Sequence, residues 1–160
     1  NTDDMRDSSS LSMIPLLIEK GAKVNYFDPT GEKDDFKKFK NVYFSNPAKI
    51  IKNSTMNDFA ISDLMISDTS SIIYEYLVTK KPIIIANNDY DQLHNMPEEM
   101  SVLSIAKNYN GEKSDISDMV AEDLNNPNLV NLYNEMLNNC FYFNDGKSTQ
   151  RAVDFIRKIK

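Results

Sequence analysis

"DLMISDTSSIIYEYLVTKKPIII", residues 63–85, decides the fold. The apolar run "DLMIS" reads as a strand buried on both faces, as in sheets covered by helices on each side. "SSIIYEYLVTKK" reads as a helix and "PIII" as the next strand. Strand, helix and strand in so short a stretch make a parallel crossover, which is right-handed in nearly every case. The first turn carries Asp68, Thr69, Ser70 and Ser71. Hydroxyls there either cap the helix or hold an anion. Amides of residues 70–73 would open on the crevice at the strand's carboxyl end, where open α/β sheets bind ligands.

Outward from this unit the elements alternate. "SLSMIPLLIEKGA" sets Leu11, Ile14 and Ile18 on one helical stripe from Ser9 or Ser10, with Gly21 as a stop. Pro15 removes a donor about one turn in, so the regular helix is expected to start later than the serines. "KVNYFDP" reads as a strand closed by Pro29 and Gly31, "NVYF" as a second, and "PAKIIKN" with "MNDFAI" as one or two short helices. "EEMSVLSIA" reads as a further short strand. Ile116, Met119, Val120 and Leu124 mark one amphipathic helix, Leu129, Leu132, Tyr133 and Met136 another, and Ala152, Val153, Ile156 and Ile159 the last. The expectation is a single α/β domain over 1–160, three-layered, with a mostly parallel Rossmann-like sheet.

The 160 residues are 41% hydrophobic and 26% charged, enough apolar material for one layered core. The net charge of −6 falls late: residues 1–58 hold nine basic and nine acidic side chains, residues 59–160 nine and fifteen. Such a surface repels a nucleic-acid backbone, so nucleic acid is not an expected partner. With one cysteine, Cys140, neither an intramolecular disulfide nor a multi-cysteine metal site is possible. A single thiol fits a reducing compartment. The longest apolar runs fall far short of the ~20 residues that span a bilayer. The expected location is cytoplasmic, with peripheral contact at the inner face of the membrane left open.

Ser71 and Glu75 are four apart and share a helix face. With Thr69, Ser70 and Ser71 on a phosphate, a carboxylate one turn further could accept hydrogen bonds from a ribose diol. The competing reading is a hydroxyl cap beside a solvated glutamate.

The order of aspartate, hydroxyls, glutamate and Lys-Pro within "NDFAISDLMISDTSSIIYEYLVTKKPIII" resembles the core of the CDP-glycerol glycerophosphotransferase family, which builds teichoic-acid-type polymers at the bacterial envelope. "FNDGKSTQRAVDFI" is similar to that family's end, so the resemblance covers roughly residues 57–160. It implies the carboxyl-terminal, nucleotide-binding lobe of a two-lobed GT-B architecture. It also implies a CDP- or UDP-linked donor with Thr69, Ser70 and Ser71 at the diphosphate and Glu75 at the ribose. No other cofactor is implied, and a second lobe or partner subunit would complete the enzyme. Lys147 and Arg151 are candidate phosphate contacts, against a plain helix-capping loop.

"NTDDMRDSSSLSMIPLLIEKGAKVNYFDP" resembles instead the UDP-binding domain of UDP-glucose 6-dehydrogenase, over residues 1–29 and onward to about 55, with Asp3, Asp4 and Arg6 matching its motif by position. The two resemblances divide the chain into segments 1–55 and 57–160, with a seam expected between Asn46 and Asp58.

Neither enzymology is complete in this sequence. Hydride transfer lacks a GxGxxG fingerprint, and Cys140 in "NNCFYF" reads as a packed small residue rather than a nucleophile. The resemblance implies two catalytic histidines, one from each lobe. The chain's single histidine, His94 in "DQLHNMPEE", matches neither position and stays a weak candidate base against a surface residue. "EKDDFKKFKN" reads as a solvated loop of mixed charge. Three functions remain open: a donor-binding transferase lobe, a noncatalytic α/β module, and a UDP-binding fragment of a sugar-nucleotide dehydrogenase.

Overall fold

A computed structural model describes residues 5, 8–45, 55–68, 70–86, 96–111 and 115–159. The elements run α1 (Ser10–Glu19), β1 (Val24–Phe27), α2 (Asp34–Lys37), β2 (Val42–Ser45), α3 (Thr55–Ile61) and β3 (Met65–Ser67). They continue with α4 (Ile72–Tyr76), β4 (Ile83–Ile85), β5 (Lys107–Asn108), α5 (Ile116–Leu124), α6 (Leu129–Cys140) and α7 (Ser148–Lys158). Among the described residues all strand pairing is parallel. β1 pairs β2 with Val24 opposite Val42, and β3, β4 and β5 form a second sheet in that order. The fold is an open, Rossmann-like α/β arrangement.

Alternation along β4 builds the layers. Ile83 and Ile85 face Phe59 of α3, Ile73 and Tyr76 of α4, and Tyr133 and Leu137 of α6. Ile84, between them, faces Met13 and Leu17 of α1 and Ile116 of α5. All three isoleucines are fully buried, each contributing about 1.5–3 kcal/mol through its side chain. The layer made by α1 and α5 also takes in Val24 of β1 and Ile66 of β3, so it backs both sheets. On the first sheet, Val24, Tyr26, Val42 and Phe44 pack with Ile14 and Phe36, while Phe27 and Tyr43 on the other face are exposed.

Three polar devices hold the second sheet in place. Tyr133 Oη sits 2.9 Å from Ile83 N and 3.2 Å from Ile83 O, pinning the start of β4 to α6. Lys81 Nζ donates to Phe59 O at 3.2 Å, to Ala60 O at 2.9 Å and to Ser62 O, so a cation caps the carboxyl end of α3. Lys107 Nζ lies 2.8 Å from the buried Asp123 and 2.7 Å from Glu122, tying β5 to α5. The Lys-Pro pair therefore has a structural role, since Pro82 O also accepts from Met65 N at 3.0 Å.

Several expectations shift. Helix α1 starts at Ser10 and runs through Pro15, which forfeits one backbone bond in a helix whose Met13, Ile14 and Leu17 are buried. Its end follows the expected stop: Gly21, at φ +90°, donates to Ile18 O, and Ala22 donates to Leu17 O. "DLMIS" forms β3 but is only half-buried, because β3 is an edge of its sheet and β4 the centre. The helix after it is short, five α residues followed by a 3-10 turn over Leu77–Thr79 that stops at Lys80 in the left-handed region. "EEMSVLSIA" is not a strand. Two 3-10 turns, Glu98–Met100 and Val102–Ser104, occupy it, with Ser104 Oγ bonded to Ser101 O at 2.8 Å, and the strand comes just after as β5. "PAKIIKN" lies outside the described residues.

Candidate functional site

The turn between β3 and α4 stands at the carboxyl edge of the second sheet, where strand ends and helix starts meet. Ser67, Ile85 and Asn108 form the last row across the three strands. Residues of one row share a face in parallel pairing, so Ser67 and Asn108 lie on the side of Ile85, the side of α4 and α6. Beyond that row come Asp68 and Ser70, then Ser71 at the start of α4.

The amides of this turn are mostly engaged. Ser70 N donates to Asp68 O at 3.1 Å and Ile73 N to Ser70 O at 3.2 Å, while Ile72 N approaches Ser70 Oγ at 3.5 Å. Of residues 70–73, only Ser71 keeps an amide with no acceptor among the described residues. The expected ring of open amides is thus reduced to one, because the tight turn into a short helix uses i to i+3 bonds. Donors for an anion would come chiefly from side chains. Ser70 is half-buried and Ser71 exposed. Ser71's hydroxyl makes no cap bond to α4. Glu75, one turn on, is exposed, and its side chain has no ion pair or hydrogen bond among the described residues. Thr69 lies outside the described residues, as do His94, Asp3, Asp4 and Arg6.

Lys147 and Arg151 make local contacts around the start of α7. Lys147 precedes α7 and its amide donates to Asp145 Oδ1 at 3.0 Å. Arg151 holds both Asp145 oxygens at 2.9 Å and stacks over Phe143, its guanidinium 4.2 Å from the ring centroid. No hydrogen bond or ion pair among the described residues joins either cation to Ser70, Ser71 or Glu75.

One polar group was missed in the sequence. Asn108 Oδ1 is buried without a hydrogen-bond partner among the described residues, at the carboxyl edge and on the α4 side of the sheet. Buried amide oxygens are ordinarily paired, so an orphan at a sheet's ligand edge is a candidate contact. No motif announced it, since Asn108 in "SIAKNYN" has neither a spacing nor a neighbour that suggests a ligand.

Cys140 behaves as a packing residue. Its thiol donates to Met100 O at 3.4 Å beside Met136, and burial raises its pKa, opposite to what a nucleophile needs. Among the described residues no group of three or more His, Cys, Asp or Glu could hold a metal, and no helix is long and apolar enough to cross a membrane.

Residues 26–158 match the family described as CDP-Glycerol:Poly(glycerophosphate) glycerophosphotransferase. The chain belongs to this glycerophosphotransferase family. The match includes Ser70, Ser71, Glu75, Asn108, Lys147 and Arg151, and it spans residues 46–58, where a junction between two families was expected. The resemblance to UDP-glucose 6-dehydrogenase is not supported. Much of the stretch that suggested it is an amphipathic helix closed by glycine and followed by a strand, which many α/β proteins share. Its distinctive residues, Asp3, Asp4 and Arg6, precede the matched region. No curated protein and no solved structure matches the chain.

Proposed function

We propose that the chain is the donor-binding lobe of a glycerophosphotransferase of the teichoic-acid type, acting in the cytoplasm on CDP-glycerol or a related CDP- or UDP-linked donor. Ser70 and Ser71, with Thr69, donate hydrogen bonds to the diphosphate, and the Ser71 amide adds one backbone donor. Glu75 accepts from the ribose hydroxyls one helical turn away, a spacing of about 5–6 Å between side-chain origins. Asn108 Oδ1 supplies an acceptor for a donor group on the cytidine or ribose.

The observation that carries this reading is the open, shared face of Ser71 and Glu75, two polar side chains with no partner among the described residues, at the sheet edge where such folds bind ligands. The noncatalytic alternative expects an occluded turn at Ser70 and Glu75 paired to a cation; Ser70 is half-buried, and the Glu75 side chain has no cation partner among the described residues.

In the transfer itself, a hydroxyl of the growing polymer attacks the phosphorus that carries glycerol. A new P–O bond forms, the bond linking the two phosphates breaks, and CMP leaves, while the hydroxyl proton passes to a base. Such transfers depend on positioning and on charge stabilisation around the phosphoryl group. The turn can position the donor; the base and the acceptor site are assigned to a second lobe or partner subunit. Calorimetric titration with CDP-glycerol, CDP and UDP tests the reading. Saturable heat for a cytidine or uridine diphosphate supports it, and no binding at millimolar ligand rejects it.

A further inference from the structure

We propose that the space between β1 and β3 is a slot for one added β-strand, taken by an extended segment of polypeptide. The proposal is independent of the nucleotide site. The two sheets are not hydrogen-bonded to each other, and β1 and β3 do not approach as paired strands do. A single helix nevertheless backs both. Ile14 of α1 packs with Val24, Tyr26 and Val42 of the first sheet, while Met13 and Leu17 pack in the cluster that holds Ile66 and Ile84 of the second. A helix is about 10–12 Å across with its side chains. One strand set between two others separates them by about 10 Å, twice the spacing of neighbours. The gap under α1 thus has room for one strand and no more.

Backbone chemistry selects the partner. Val24 N donates to Asn41 O at 2.9 Å, which turns the polar groups of Val24 and Tyr26 toward β2 and those of Asn25 and Phe27 toward the gap. Met65 N donates to Pro82 O at 3.0 Å and Ser67 O accepts from Ala86 N at 2.8 Å, so the N–H and C=O of Ile66, between them, face the gap from the other side. None of Asn25, Phe27 and Ile66 has a backbone partner there among the described residues. Alternating donors and acceptors on two such edges are met by one extended backbone, whose main-chain bonds give affinity while side chains at alternate positions give specificity. On one face those side chains meet Met13 and Leu17, so apolar, β-branched residues suit it. On the other they cover Phe27, 56% exposed, in a parallel sheet of the kind ordinarily buried on both faces. β1 offers four residues, about 13 Å of edge. That is too little for a folded surface and enough for a single extended segment.

Hydrogen exchange on the full chain tests the slot. The probe is a peptide alternating valine and threonine between terminal lysines, compared with the same peptide carrying proline at its centre, which lacks a backbone donor and does not fit within a sheet. In the chain alone the amides of Asn25, Phe27 and Ile66 should exchange freely. The valine peptide at millimolar concentration should slow them at least about tenfold. The chain has no tryptophan, so Phe27→Trp installs a single reporter, whose emission the same peptide should shift to the blue. The proline peptide should do neither. Four outcomes overturn the proposal: protection of the three amides in the chain alone, protection that grows with chain concentration in the absence of peptide, no slowing by the valine peptide, or an equal effect of the two peptides.

Discussion

Tyr133 and Ile83 exchange two hydrogen bonds: the phenol accepts from Ile83 N at 2.9 Å and donates to Ile83 O at 3.2 Å. One side chain of α6 thereby satisfies both backbone groups at the start of the central strand, and burial pushes the phenol's pKa well above its ordinary range. Tyr133→Phe leaves a buried donor and acceptor without partners, a loss of about 1–3 kcal/mol. Urea denaturation should show a lower midpoint at unchanged slope. A change under about 0.5 kcal/mol would mean that water replaces the phenol and that the pin is dispensable.

Lys107 holds Asp123, which is only 5% exposed, and also Glu122. Burial lowers the lysine pKa, but the two carboxylates outweigh it and the net shift is upward. A folded-state pKa above the unfolded one means that the pair stabilises fully below pH 10.5, and that this contribution fades as pH rises through the folded-state value. Lys107→Met should cost about 2 kcal/mol near neutrality, less than a fully buried pair because Lys107 is one-third exposed. The gap between wild type and variant should narrow at higher pH, and a gap independent of pH would contradict the ion-pair account.

Asp115 caps α5 by accepting from Ser117 N at 2.7 Å, a bond that depresses its pKa below 3.8. A depressed carboxylate stabilises the fold above its unfolded pKa, and that support disappears as pH falls through the folded value. Asparagine caps as well as aspartate but does not titrate. Asp115→Asn should therefore leave Tm at pH 7 nearly unchanged and flatten its fall below pH 3.8. An equally steep acid slope would show that other carboxylates carry it.

Much of the fold was legible because its signals are local. Gly21 after an apolar stripe, Pro29 and Gly31 after "VNYF", and the run Ile83–Ile85 each announce an element through backbone chemistry or unbroken hydrophobicity. Burial by rank in the sheet was not legible. "DLMIS" looks as central as "PIII", and only strand order makes one an edge. The segment "EEMSVLSIA" misled because its valine and isoleucine suit a strand, while Ser101 and Ser104 close 3-10 turns. At the site, Ser71 and Glu75 could be found by spacing, but the engagement of neighbouring amides and the orphan oxygen of Asn108 depend on tertiary geometry. The likeness to a dehydrogenase rested on "NTDDMR", which precedes the matched residues, and on a helix-glycine-strand pattern that many α/β proteins share.

Asn108 gives a prediction that separates binding from stability. An unpaired buried amide oxygen costs desolvation without return. Asn108→Leu should therefore leave stability unchanged or raise it by up to about 1 kcal/mol, and weaken CDP binding. Thermal melts with and without CDP report both effects. A destabilised variant, or one that binds CDP as well as wild type, would remove Asn108 from the site.

The most direct test of the central claim is the CDP-induced rise in Tm, measured for the wild-type chain and for Ser71→Ala with Glu75→Ala. Both side chains are exposed and make no bond among the described residues that holds the fold, so the unliganded Tm should not move. The account predicts a rise with CDP in wild type that is lost in the double variant. An equal rise in both proteins, or none in wild type at millimolar CDP, would contradict it.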